Sequence, residues 1–498
     1  MTVDLINFFL SWTPLILIMV LAVGFKRQAL ELAFWGTIYT VGLTLLWFKT
    51  TPAVVALAGL DGVLTNTPLL LVIYFGMLLS GLLLDSGSLS RVVDWFSGLS
   101  RNEWHRTVLI TVGVGNFMEG SGIVAEPIVA PMLRASGLPA TGAAALSIAG
   151  YSGLMILELG GAILTVLALV TGLEMASLGW DVGLLSIPAT VLMSLSIPWL
   201  LDQPRELIKQ FPLLLSVGLL AGGGALFAVY YLGLTVSGLF GGLLVILVLS
   251  LVGGRRFRLD AALFKDMAPF IFLVVSLFSI NLIPPLKQVA LEAWPGAVSV
   301  VPGHLIHFRP LYSAFTYIFL AYLLAVLLVN DRTLVLKSFR TTNLRAWRPI
   351  LAMALFGAAG QIIAYSGFQP GFIEMNPSHN IALTLANGMV AISGQFYPVF
   401  APLIGWTGTF LTGYGTASIV LFGKLHVSTA TLLGVSPSLL ASGMAVGSAV
   451  GSISSPLKIA LAASMCEAEG KEGWILARTI PLGIGLALIL GLVLLMMV

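Results

Sequence analysis

The stretch Thr111–Thr165, TVGVGNFMEGSGIVAEPIVAPMLRASGLPATGAAALSIAGYSGLMILELGGAILT, decides the fold. It is apolar enough to lie in a bilayer, yet it carries Glu119, Glu126 and Glu158 among runs of Gly and Pro that ordinary spanning helices avoid. Carboxylates in hydrocarbon are costly and rare, and irregular backbone at that depth survives only where protein or a water-filled cavity satisfies its amides. A segment that does both marks a transport site.

The rest of the chain agrees with a bilayer setting. Of its 498 residues 58% are hydrophobic and 9% charged, against about one quarter charged in soluble domains. Apolar runs of spanning length fall near 8–24, 30–48, 68–84, 183–201, 211–232, 234–252, 267–286, 312–329, 349–366, 381–404 and 475–498. Between them lie two Gly-rich regions, about 107–175 and 405–466. The expectation is an all-α polytopic membrane protein of about 12 to 15 passes, with broken or re-entrant helices, at roughly 20 residues per pass. The net charge of +3 comes from loop Lys and Arg, without the basic stripe and exposed aromatics of a nucleic-acid binder. A single cysteine, Cys466, excludes an intrachain disulfide and a multi-cysteine metal site. The first eight residues hold Asp4 and no Lys or Arg, so the first run reads as a retained helix rather than a cleaved signal.

Orientation follows from the cations, because cytoplasmic loops hold an excess of them. The loops with Lys26 and Arg27; Arg91, Arg101 and Arg106; Arg205 and Lys209; Arg255, Arg256, Arg258 and Lys265; and Arg332, Lys337, Arg340, Arg345 and Arg348 hold most of the 24. Walking the runs places all five on one side, with the N-terminus outside a plasma (inner) membrane. Residues 85–106, with Val92, Val93, Trp95 and Phe96 among charges, read as an interfacial segment on that side, or as an ordinary loop.

The unusual part then recurs. Residues 115–122, GNFMEGSG, match residues 408–415, GTFLTGYG, and Gly137 and Gly150 match Gly434 and Gly447. Upstream, Phe75-Gly76 and Ser86-Gly87 match Phe356-Gly357 and Ser366-Gly367. By the loop charges the run with Gly76 goes inward and the run with Gly357 outward, so the halves, about 66–250 and 345–498, read as inverted copies. Inverted repeats with broken segments at equivalent places point to a secondary transporter with its site near the midplane.

The glycines of the two loops let a ligand approach the main chain, and a helix broken there presents free N–H groups that suit a carboxylate. Candidate substrate ligands are Asn116, Gly120, Ser121 and Gly122 in the first loop, and Thr412, Gly413, Tyr414, Gly415 and Thr416 in the second, with Ser454, Ser455 and Lys458 beyond it. Glu119, inside the first loop and matched by Thr412, is the first choice for carrying a proton; Glu126 and Glu158 are further candidates. His304 and His307 have metal-like spacing, but only Glu292 accompanies them in an external loop, so no metal is expected. The GxSG pattern Gly150-Tyr-Ser-Gly153 raises an intramembrane serine protease, whose Ser152 would need a His base that none of the five histidines is placed to supply. No HExxH, Walker or dinucleotide pattern occurs, so neither enzyme chemistry nor a cofactor is expected.

At these loops the chain resembles the L-lactate permease family. The match runs through Phe117-Met-Glu119-Gly with Pro127, Gly405-Trp-Thr-Gly408, Leu411-Thr-Gly413, Val420-Leu-Phe-Gly423, Leu433-Gly-Val-Ser436, Ser455-Pro456 and Lys471-Glu-Gly473. The resemblance implies proton-coupled uptake of lactate, glycolate or a related 2-hydroxy monocarboxylate, in a fold that moves a substrate domain against a scaffold. Departures accompany it: Gly415 and Ile419 stand where the family usually has Asp and Asn, Met444 where an Asn is usual, and Lys458 follows Ser455-Pro456 where the family tends to put Gln beside the proline. Polar groups have been lost and charges gained at the pocket, which leaves another small anion open. The coupling ion is expected to be H⁺, with Na⁺ coupling or export as the alternative. The expected partners are the small organic anion and the lipid bilayer, with no nucleic acid and a homodimer left open.

Overall fold

In the computed structural model, residues 5–25, 27–98, 102–253, 261–294 and 296–498 are described. Lys26, Arg101, Arg255, Arg256 and Arg258, used above for orientation, lie outside them. Among the described residues, 11 helices are long and apolar enough to cross a membrane, and a twelfth crossing arises if the bent pair around Ser455 is one span. Two shorter apolar helices, Leu159–Thr171 and Ala314–Leu328, add to these. Leu5, Phe9, Trp35, Leu46, Tyr230, Leu251 and Leu327 are exposed, as side chains facing lipid tails must be.

Two 34-residue helices, Pro52–Asp85 and Arg332–Tyr365, form the central pair. Each runs beyond its apolar run, because residues 52–67 and 332–348 carry Gly, Asn and charge without a helix breaker in mid-segment; at 1.5 Å per residue each is about 51 Å long. They pack antiparallel, with Gly59 beside Ile362, Gly62 beside Gly357 and Gly81 beside Thr342. At Gly62 an added Cβ would lie 2.1 Å from the Gly357 carbonyl oxygen, so only glycine permits this spacing. Asn66 Nδ2 adds a bond to the Met353 carbonyl at 3.3 Å.

Where the first long helix ends, residues 88–97 form a short amphipathic helix that buries Leu89, Val92 and Phe96. Arg91 on its outer side pairs with Asp266 of the helix Ala261–Leu282. The segment is a helix with one apolar face turned into the protein.

Residues 103–135 make a hairpin. Its first arm runs Glu103–Val108, a wide π-helical turn at Leu109–Val114, and Gly115–Gly120; the second arm is Glu126–Ala135. A helix broken in the middle follows, Ala140–Ser152 and Ala162–Thr171, and then Met175–Leu200. Later in the chain the same order recurs: Tyr397–Thr412 and Gly415–Leu433 flank a break at Gly413, then come Pro437–Gly451 and Pro456–Met465 about a break, and Glu472–Met497 closes the chain. The apolar run 381–404 is two helices rather than one, Ile381–Ser393 and the start of Tyr397–Thr412, separated by Gly394 at φ +52°. Between these two series of elements, a two-stranded hairpin, Gly296–Val298 with Ile306–Phe308, sits over the N-terminal third of the first long helix.

Candidate functional site

The two broken helices meet at their breaks. In the first, residues 153–161 leave the α-helical path through Leu159, Gly160 and Gly161, at φ +51°, +62° and +74°. In the second, the chain kinks by 44° at Ser455, whose hydroxyl accepts the Lys458 amide at 3.4 Å and so caps the outgoing helix. Met155 of one break touches the other: its sulfur lies 3.0 Å from Ser452 Oγ and 4.0 Å from Lys458 Nζ.

Around this crossing stand three carboxylates, one ammonium and one phenol. Lys458 Nζ donates to Tyr151 Oη at 2.7 Å, and Tyr151 Oη donates to Glu126 Oε1 at 2.6 Å. Lys458 is also 3.8 Å from that oxygen and 4.7 Å from the centre of the Tyr151 ring. Glu119 Oε1 accepts the Ala125 amide at 2.8 Å, bridging the hairpin break and satisfying a free N–H at the start of Glu126–Ala135. Glu158 sits between two short turns at zero exposure, and neither of its oxygens has a hydrogen-bond partner among the described residues. Glu126 Oε2 is likewise unpartnered. Unpaired buried carboxylate oxygens are expensive, so they mark a place where a proton or a ligand completes the bonding.

The candidate ligands divide by where they fall. Gly413, at φ +83°, packs on Leu457, and Gly415 packs on Met155 and Ser448, so the second break adjoins the crossing. Thr412 Oγ1 is held by the Gly408 and Tyr414 carbonyls, Tyr414 is half-buried beside it, and Thr416 is buried one turn on. The first break turns elsewhere: an added Cβ on Gly76 of the long helix would lie 2.0 Å from the Gly122 oxygen, and Gly120 abuts the Leu239 backbone. Ser121 Oγ bonds the Phe117 carbonyl. Asn116 Nδ2 ties the Val112 and Gly150 carbonyls, at 2.6 and 2.9 Å, where helix and hairpin touch. Ser454 Oγ is tied to the Thr479 carbonyl. Of the first loop, then, Glu119 and the neighbouring Glu126 face the crossing, while Asn116, Gly120, Ser121 and Gly122 hold the hairpin in place. Ser152 Oγ donates to Ile148 of its own helix at 2.7 Å, and no described histidine pairs with it.

Sequence reasoning missed Tyr151, whose only signal was its place in the GxSG pattern. It also missed a second buried ionic group. Asp61, at zero exposure in the first long helix, receives His304 Nδ1 on both oxygens, at 2.9 and 2.8 Å, while His304 Nε2 donates to the Leu169 carbonyl at 2.8 Å. Burial works against charge on His304, but the bond and charge of Asp61 outweigh it and raise its pKa above the usual 6.5. Lys424 Nζ lies near, 3.4 Å from the Thr171 carbonyl. An acid inside an apolar helix was the available signal for Asp61.

A family model described as L-lactate permease matches residues 7–498. An L-lactate permease of Streptococcus iniae is 27% identical over 85% of this chain and 90% of its own length. One of Halalkalibacterium halodurans is 23% identical over 97% and 95%. The glycolate permease GlcA of Escherichia coli is 30% identical over 47% of this chain and 39% of its own. Among solved structures, the YdaH transporter of Alcanivorax borkumensis is similar at TM-score 0.48 and 14% identity, over 94% of this chain and 98% of that one.

Proposed function

This chain belongs to the L-lactate permease family, and we propose that it moves lactate, glycolate or a related 2-hydroxy monocarboxylate together with protons, by alternating access through the crossing of its two broken helices. The observation that carries the reading is the charge balance at that crossing. Three buried carboxylates share one ammonium, so neutrality there calls for protons, and an incoming carboxylate that takes Lys458 as its partner raises the call by one. Binding the anion and binding the proton are then one event.

Lys458, with the backbone about Gly413–Thr416 and Ser455, would hold the substrate; Glu119, Glu126 and Glu158 would hold the protons. Two inverted halves supply the alternation. Support comes from the antiparallel long helices, the recurring order of elements, and one close approach made twice at matched positions: Gly150 against the Thr111 oxygen and Gly447 against the Pro402 oxygen. An N-terminus outside a plasma membrane is part of this reading, supported by the excess of cations in one set of loops.

Uptake of labelled L-lactate into proteoliposomes, driven by a pH step with and without Na⁺, tests this. Glu119→Gln should abolish pH-driven uptake while exchange of internal for external substrate persists. Equal gradient-driven uptake by the variant, or uptake that follows Na⁺ and ignores the pH step, refutes proton coupling through this group.

A further inference from the structure

The three carboxylates of the crossing are buried, so the substrate needs a way in. A cavity of about 470 Å³ lies on the side of the strand hairpin, away from Arg91 and Lys209. It runs from Gly303–Phe315 down to Gly160 and Ala162, where the first broken helix resumes four residues beyond Glu158. Such a volume falls within the range of ligand clefts and holds a small hydroxy acid with its water.

Its lining has one sign. The basic residues that face it are His304, His307 and Arg309, and among the described residues no Asp or Glu lines it. His304 is neutralised by Asp61, which lies behind it, and His307 is the exposed residue of the strand Ile306–Phe308. Arg309 is half-buried, and its guanidinium forms no ion pair among the described residues. Tyr312 and Ser313 follow it on the wall, and Lys424 stands behind Gly172. A low-dielectric cleft with unbalanced positive charge raises the local concentration of anions.

We propose that this cavity is the outer vestibule of the transport path and that Arg309 is the residue that first captures the substrate carboxylate there. The proposal rests on the transport reading above, and adds to it a second anion subsite, separate from Lys458 and met only from the outer face. Arg suits this task because its planar fork takes a carboxylate bidentately and it stays charged at any working pH. From Arg309 the anion passes the wall at Thr165 to reach Gly160 and the break.

Two measurements on the reconstituted full chain test it. Arg309→Ala should raise KM for L-lactate presented from outside on the order of tenfold, the loss of one charge-assisted bond, with a much smaller change in KM from the inner face; Arg309→Lys should fall between. Equal KM changes at both faces, or none, overturn the assignment. Independently of transport, Thr165→Cys should react faster with a sulfonate-bearing thiosulfonate than with its ammonium counterpart, relative to a free thiol, and adding Arg309→Ala should remove that preference. Cys466 is buried and serves as the unreactive background. No charge preference at Thr165→Cys means a lipid-filled groove and sinks the vestibule. If wild type moves no lactate while the preference stands, the substrate reading fails and the vestibule survives.

Discussion

Replacing Lys458 by Met removes the one ammonium at the crossing while keeping the length and apolar stem of the side chain. Lys458 and Glu126 are the two partners of Tyr151 Oη among the described residues, and Lys458 stands 3.8 Å from a carboxylate that is 1% exposed. Taking away one member of a buried pair leaves an uncompensated charge, which costs about 3–5 kcal/mol. Glu126 does not bear that cost alone, because Glu119 and Glu158 are buried in the same place. Lys458→Met should therefore clearly lower the thermal unfolding midpoint in detergent. Adding Glu126→Gln removes the stranded charge and should recover most of the loss, a coupling of about 2–3 kcal/mol by a double-mutant cycle. A fluorescence or light-scattering melt of the four proteins reads this directly. An unchanged midpoint in Lys458→Met, or strictly additive effects in the double variant, would show that Lys458 and Glu126 do not balance each other, and the charge argument for proton coupling would fall.

Further expectations come from other parts of the fold. Because His304 has a raised pKa in the folded state, the Asp61–His304 contact is fully present below pH 6.5 and is lost as pH rises through the folded value, so the melting midpoint should decline across that window in wild type and decline less in Asp61→Asn. A midpoint with the same pH slope in both would remove Asp61 as the partner that matters. Gly150→Ala would set a Cβ 1.7 Å from the Thr111 oxygen, a backbone atom that cannot yield cheaply, and should cost at least about 1–3 kcal/mol, whereas Gly42→Ala, with open space around it in a helix, should be neutral or mildly stabilising. Similar melting midpoints for these two variants would contradict the close approach of hairpin and broken helix. Tyr151→Phe should slow pH-driven uptake and lower substrate affinity together, since it cuts the link between Lys458 and Glu126; unaltered uptake kinetics would leave Tyr151 a packing residue.

What the sequence determined by itself is the set of properties that depend on short stretches. Hydropathy over about 20 residues gave the helices, and Gly122 and Gly413 marked where helices break, because positive φ is a local matter. It misjudged lengths where a helix continues on tertiary contacts: residues 52–67 and 332–348 look too polar to span, yet both are helical, and each packs on the apolar part of the other long helix. Only the tertiary structure decided who meets whom. Lys458 and Tyr151 are 307 residues apart, and His304 and Asp61 are 243 apart, so no window of sequence contains both members of either pair. The first loop makes the same point: its glycines and polar groups looked like ligands from composition, but a helix face chosen by packing turned Glu119 and Glu126 toward the crossing and Asn116, Ser121 and Gly122 toward neighbouring backbone. Chain-local chemistry names the kinds of groups available; the direction each one points is settled by packing between segments far apart in the chain.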